Sequence, residues 1–421
     1  MNKRLFALYS LIFIDALGVA IIYPLMPKLF LDPVQGLIQA DEIFLSRDIL
    51  YGMAFAAFPL LSFFGMPILG GLSDFYGRRK LILAGLAGIV AGYFLGAWSI
   101  VIGSYLLFLS ARAVSGFCCG TLVIANAVIS DISADTRSKL SNFKWPVIAN
   151  IAGFILGPAI SSGIHLIPFP FPLALPFFLA AFLSLVNGVM LFFVFAETAP
   201  CVLNDQTASP WRNIFASITY LLRSTALKKL NLGYSFFYFG FGLFLQSISL
   251  YLAHVFGYSP SDIGVFFIFV ALSLGVSVFF LQPGALKHFD YRKLILFSLL
   301  AQGLLFLFLF VSDLRRGSLL PFELWTVALL FFLALPFVQL GLTTLYSNIA
   351  KPGEQGVVMG GLGQIYSLMW FASALILGQL MAASRGLIFL VAGLTILSGY
   401  AVIRSAMKNL ASIPNPDKPE P

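Results

Sequence analysis

Charge is what this sequence has least of. Only 10% of its 421 residues are Asp, Glu, Lys or Arg, while 60% are hydrophobic; a soluble domain carries about 25% charged residues. So few charges cannot cover a protein's surface against water, and the missing solvent is lipid. Strand-like alternation is absent too. The 45 Phe residues fall in long apolar runs, whereas an outer-membrane barrel alternates apolar and polar residues in ~10-residue segments. Helices that are apolar all round are expected. Cysteine is scarce: Cys118, Cys119 and Cys201 supply neither a disulfide framework nor a metal-ligand spacing and read as small core residues. The three His (His165, His254, His288) fall at loops or helix ends. With no HExxH, no Ser/His pair within a span and no paired carboxylates, no catalytic residue, metal or cofactor is expected. A membrane sensor or an intramembrane enzyme is left as a remote alternative.

What is present is a series of long hydrophobic runs. They lie near 5–27, 50–72, 79–99, 103–129, 146–166 and 173–196, then 230–253, 262–284, 293–312, 322–347, 356–383 and 386–407. The expectation is an all-α membrane protein of twelve transmembrane helices. Met1-Asn2-Lys3-Arg4 imitates a secretory signal, but the apolar run continues past Met26. At about 20 residues it is long enough to span, and it reads as an uncleaved first helix. Two groups of six runs flank the least hydrophobic stretch. This predicts an N-terminal bundle at 1–196, a linker at 197–229, and a C-terminal bundle with a short polar tail at 230–421. With the N-terminus inside, 19 Lys and Arg fall on the cytoplasmic side and 5 opposite, leaving Arg112 within a span. By the positive-inside rule both termini are then cytoplasmic, in an inner (plasma) membrane. The net charge of +8 becomes a topology signal that calls for no nucleic-acid partner.

Within the linker, Ser209-Pro210 is a good helix start. Trp211, Ile214, Phe215, Ile218, Leu221 and Leu222 follow at helical spacing, with Arg212, Arg223, Lys228 and Lys229 nearby. The pattern suits a helix lying on the cytoplasmic leaflet or packed under the bundle. A weak repeat relates the halves: the stretch from Gly70 to Arg79 after the second run matches the stretch from Gly284 to Lys293 after the eighth. Parallel six-helix repeats are a transporter architecture.

Sixteen of the 17 acidic residues fall in loops or at helix ends. The exception is Asp15, about 10 residues into the first helix and so roughly 15 Å deep. Arg112 is its basic counterpart on the fourth. Each costs about 2.5–3.5 kcal/mol to insert. A chain cleared of charge elsewhere keeps one of each sign, either as a buried ion pair or as a protonatable acid coupled to an opening. Small-residue ridges, Gly88/Gly92/Gly96, Gly116/Gly120 and Gly153/Gly157, allow close helix contact. Pro158 after Gly157 permits a kink.

From about Leu5 to Ala383 the chain resembles the major facilitator superfamily, specifically its twelve-helix drug:proton antiporter branch and within that the tetracycline-efflux-like proteins. Four stretches carry the resemblance. Gly70-Gly71-Leu72-Ser73-Asp74-Phe75-Tyr76-Gly77-Arg78-Arg79-Lys80 is similar to the signature between helices two and three. It implies a cytoplasmic gate in which Asp74 and Arg78 join Asp131, with Phe75 where the family usually has Arg or Lys. Asp15-Ala16-Leu17-Gly18 with Pro24 and Pro27 resembles the first-helix motif. Arg112 with Gly116 and Gly120 resembles the fourth-helix motif associated with proton coupling. Gly153-Phe154-Ile155-Leu156-Gly157-Pro158 resembles the antiporter motif of helix five, which accompanies export; Ser161 and Ser162 stand where the family has two Gly. The acids that tetracycline exporters carry in helices three and nine are replaced by Gly92 and Gln302. The resemblance makes Tyr234, Tyr238, Phe241 and Gln246 on helix seven, and Gln339 on helix ten, candidates to line a substrate cavity, or else packing or lipid-facing residues. It implies a monomeric bacterial secondary transporter, partnered by protons, lipid and a bulky amphipathic small molecule. Import of a nutrient, siderophore or metabolite is the alternative.

Overall fold

The computed structural model describes all residues except 1–2, 33–35, 39–44, 133–135, 165–166, 169, 198–214, 224, 350–354 and 410–421. Among the described residues every regular element is a helix. The first half contains α1 (Lys3–Ala20), α2 (Met26–Leu31), α3 (Arg47–Tyr76), α4 (Arg78–Ile102), α5 (Tyr105–Cys118), α6 (Thr121–Ile132), α7 (Thr136–Ile164) and α8 (Leu175–Val194). After the short α9 (Ala216–Arg223), the second half contains α10 (Thr225–Phe256), α11 (Pro260–Val276), α12 (Gln282–His288), α13 (Tyr291–Arg316), α14 (Pro321–Ile349), α15 (Gln355–Ala383) and α16 (Leu387–Asn409). Among the described residues the hydropathy runs map onto 11 helices long and apolar enough to cross a membrane and one shorter apolar helix, Leu5–Ala20.

The first run is not the single helix expected. Pro24 and Pro27 remove backbone N–H donors, so α1 stops at Ala20 and a turn through Tyr23 leads into α2. The fourth run breaks between α5 and α6 at Cys119-Gly120, where the Gly65 carbonyl approaches Gly120 closely. Helix ends follow local chemistry. Ser259 and Asp262 form a reciprocal capping box with Pro260 in the first turn of α11, and α4 ends on Gly103 at φ 69°, a left-handed position natural to Gly. Between α11 and α12, a π-turn at Ser277–Leu281 is pinned to α14 by Ser277, which donates to the Leu333 carbonyl.

The halves meet along two seams, α3 on α15 and α7 on α11. Turns near 38, 103, 254, 258, 317 and 384 line shared cavities and so lie together on one face, here termed the distal face. The linker face is the one at which residues 77–79 meet 192–197. On the distal side the backbones touch: Gly52 lies against the Ala374 carbonyl, Gly378 against that of Asp48, and Gly264 against Ser162 and Pro158. Further along the same seams contact is looser. A Cβ on Gly363 would be 3.7 Å from the Met66 sulfur, and one on Gly275 3.8 Å from Ile151. The two halves therefore grip each other hardest at the distal end.

The Ser209-Pro210 helix start lies outside the described residues. Of the linker helix, α9 is seen: Leu221 is fully buried, and Ser217 and Leu221 rest on Gly361 of α15, while Leu222 and Phe215 are exposed.

Candidate functional site

The two charges expected within the spans are both buried, Asp15 and Arg112 each 8% exposed. They do not form the ion pair that was one expectation: among the described residues neither has an oppositely charged partner in contact. Arg112 instead stacks over the Phe58 ring at 4.9 Å, a cation–π contact. Its Nε makes no hydrogen bond. Tyr93 of α4 lies within electrostatic reach of both charges, its hydroxyl pressed on Gly18, three residues from Asp15. Tyr93 is thus a phenol near both charges that sequence reasoning did not single out.

Glycine sets this geometry. Gly153 lies against Ala16, the Phe13 carbonyl and the Leu17 nitrogen, and Gly157 against Ala20 and the Leu17 carbonyl. The helix-five motif thus grips the stretch of α1 that carries Asp15. Gly116 meets the backbone of Phe58, whose ring holds Arg112, and Ser62 donates to the Gly116 carbonyl at 3.1 Å. Both motif helices act by backbone contact with the element bearing or touching a charge. Gly92 is a packing position against Ser115. Gln302 is fully buried and donates to the Phe331 carbonyl at 3.3 Å.

The signature between α3 and α4 is organised by a residue outside it. Gly77 adopts φ 95°, and the Glu197 carboxylate accepts from the backbone N–H groups of Arg78 (2.9 Å) and Arg79 (3.1 Å). It caps the positive end of α4. Arg78 donates to Ser73 (2.7 Å), which in turn donates to the Gly70 carbonyl (2.7 Å). Arg79 reaches the Phe192 carbonyl and stacks on its ring. Asp74 lies on α3 and Asp131 on α6, and their side chains fall outside the described part of the structure. Glu197 was missed because an acid at a helix end is unremarkable in sequence.

In the second half, Tyr234, Tyr238, Phe241 and Gln246 of α10 are all buried and therefore do not face lipid. Tyr234 and Tyr238 pack at a tilt with centroids 4.4 Å apart, Tyr238 meets Tyr366 at 5.1 Å, Tyr366 meets Trp370 at 5.0 Å, and Phe241 meets Trp370 at 5.9 Å. Gln339 of α14 sits beside the Tyr238 hydroxyl. The Gln246 amide donates to Ser373 (3.0 Å) and the Trp370 carbonyl (3.2 Å), and its backbone carbonyl accepts from Tyr51 of the first half at 3.0 Å. Tyr23 bridges the halves, 5.4 Å from Phe55 and 5.2 Å from Phe267. Aromatic side chains thus run from the half that buries Asp15 and Arg112 into the other. Tyr23, Tyr51, Tyr366 and Trp370 were not anticipated; among 15 Tyr and 45 Phe, sequence alone does not separate inward from outward rings.

A bundle of apolar helices in two halves around buried charges and rings defines a polytopic membrane transporter. Residues 8–374 match the Major Facilitator Superfamily profile, and the chain belongs to that family. It is 28% identical over 399 residues to the quinolone resistance protein NorA of Staphylococcus aureus (strain COL), covering 90% of each chain. The crystal structure of the human organic anion transporter MFSD10 superposes with a TM-score of 0.69 at 22% identity, covering 95% of this chain and 99% of that one. The D-xylose-proton symporter gives a TM-score of 0.73 at 16% identity, with 95% and 96% covered. The fold is thus shared by an organic anion transporter and a sugar–proton symporter.

Proposed function

We propose that this chain is a proton antiporter of a bacterial inner membrane, working as a monomer with cytoplasmic termini. It exports a bulky amphipathic molecule by alternating access of its two halves. Asp15 carries the proton, Arg112 tunes it, and Gly70, Asp74, Gly77, Arg78, Arg79 and Asp131 form the cytoplasmic gate. Tyr234, Tyr238, Phe241, Gln246 and Gln339 line the substrate path. The observation that carries this reading is the burial of Asp15 without a counter-ion, gripped by Gly153 and Gly157 of the motif that accompanies export. Similarity to a quinolone resistance protein supports drug-like cargo. The driving force suffices: one charge crossing 100 mV releases about 2.3 kcal/mol, enough for a gradient of roughly 50-fold at 1.4 kcal/mol per decade.

Asp15→Asn keeps the shape and removes the titration. In proteoliposomes it abolishes uphill transport while leaving downhill exchange partly intact; full uphill activity refutes the role. Import is the competing reading, favoured by the Ser161-Ser162 departure from the motif and by the fold shared with a sugar–proton symporter. Flux direction under an imposed pH gradient decides between them.

A further inference from the structure

The distal face carries a titratable pair that the proposed cycle does not use. His254, in the last turn of α10, places Nε2 3.1 Å from Oδ1 of Asp48, in the first turn of α3. One residue belongs to each half, 206 positions apart. The pair lies where the seams are tightest: Asp48 is the residue whose carbonyl meets Gly378, and one turn on, Gly52 meets the Ala374 carbonyl. Beneath the pair, Tyr51 donates to the Gln246 carbonyl, also across the halves.

A polar cavity of about 490 Å³ opens onto the pair, lined by Asp48, His254, Asp313, Ser318, Ser384 and Arg385 among others. The charged groups facing His254 come from every neighbouring element. They are Asp48 of α3, Asp313 of α13 (which accepts from Tyr251 of α10 at 3.2 Å), and Arg385 of the turn before α16 (which donates to the His254 carbonyl at 3.3 Å). Lys28 and Asp32 line an adjoining cavity with Ala253. Around the cavity itself two carboxylates face one guanidinium, so a proton on His254 brings it to neutrality. His254 and Asp48 are 24% and 19% exposed, within reach of solvent protons.

We propose that His254 and Asp48 form a second proton site, distinct from Asp15, which holds the outer exit closed. The proposal rests on the reading above for its orientation, in which the distal face is extracellular. Protonation of His254 converts a hydrogen bond from a neutral imidazole to the Asp48 carboxylate into one in which both partners are charged, which strengthens it. That gain exists only while the halves are together, because opening the exit separates α3 from α10. Linkage is reciprocal: if closure favours the proton, the proton favours closure. External acid supplies that proton and so shifts the population toward the state with its exit shut. An exporter that has released cargo into an acidic exterior is thereby returned toward loading.

The test needs no substrate. Ser249 of α10 is fully buried at the seam near Tyr51, and Ser249→Cys is a near-isosteric reporter of exit opening. Intact cells are labelled with a membrane-impermeant maleimide at pH 5.5 and pH 8, with the parent chain giving the background. A labelling rate several-fold slower at pH 5.5, after correction for the maleimide's own pH dependence using exposed Ser318→Cys, is expected. His254→Gln and Asp48→Asn should each level the two rates. The exchanged pair, Asp48→His with His254→Asp, should restore the difference and covers the case in which a single variant misfolds. Equal corrected rates in the otherwise unaltered chain, or a difference that survives His254→Gln, overturns the proposal. Labelling of Ser318→Cys only after permeabilisation overturns the orientation and the proposal with it. If Asp15→Asn transports uphill while the maleimide result holds, only the antiport mechanism falls.

Discussion

The first half of the molecule buries an acid and a base within its spans, and the second gathers a cluster of rings with two amides. Asp15 and Arg112 are buried in α1 and α5, whereas the interior of the second half is lined by Tyr234, Tyr238, Phe241, Tyr366 and Trp370, with amides at Gln246 and Gln339. Both halves use the same helix-packing device. Gly153 and Gly157 seat α7 on α1, and Gly233 and Gly399 bring α10 and α16 together. Similar scaffolds therefore present different chemistry to a common centre. An isolated charge at depth is expensive and responds to protons and voltage, while a ring surface is adaptable and recognises shape. On the function proposed above, separating the two lets cargo preference vary without disturbing the coupling group.

That division can be broken most directly by exchanging the type of lesion. Asp15→Asn removes uphill transport of every cargo, a loss of up to ~50-fold in attainable gradient, whereas Tyr238→Ala or Trp370→Ala alters which compounds are carried and leaves proton movement per turnover unchanged. Parallel proton and cargo flux measurements check this, and uncoupling by Tyr238→Ala would end the comparison. Next in size is Gly157→Val, which forces side-chain atoms into the Leu17 carbonyl and Ala20. A loss of about 1–3 kcal/mol is expected from overpacking, read as a lowered unfolding temperature in detergent. Glu197→Ala uncaps α4 and costs about 0.5–2 kcal/mol; faster tryptic cleavage at Arg78 and Arg79 reports it. The smallest effect belongs to Gln302→Leu. Gln302 makes one bond to the Phe331 carbonyl and leaves its Oε1 without a partner, so an apolar replacement changes stability by less than about 1 kcal/mol.

The helical architecture was legible in the sequence because lipid demands long uninterrupted apolar segments. Asp15 and Arg112 stood out for the same reason, as ionised groups in runs otherwise free of them. The break at Tyr23 was foreshadowed by Pro24 and Pro27, yet hydropathy is blind to backbone geometry and merged α1 with α2. Glu197 and the His254–Asp48 pair were invisible because polar residues are ordinary at helix ends, and their partners lie 119 and 206 positions away. The ring cluster was half seen. Tyr234, Tyr238 and Phe241 came from resemblance to the family, while Tyr366 and Trp370 sit in a helix whose inward face no periodicity marks, since both its faces are apolar.

At the seam of α7 and α11, Ser162 stands where the family has Gly, and Gly264 lies directly opposite, its α-carbon against the Ser162 hydroxyl. Ser162 donates to the Pro158 carbonyl, and Ser261 donates back to Ser162. The vacancy that close approach requires has been supplied by the facing wall. What the crossing constrains is the combined width of two residues, so a signature read along one strand of the pair records only half of the requirement.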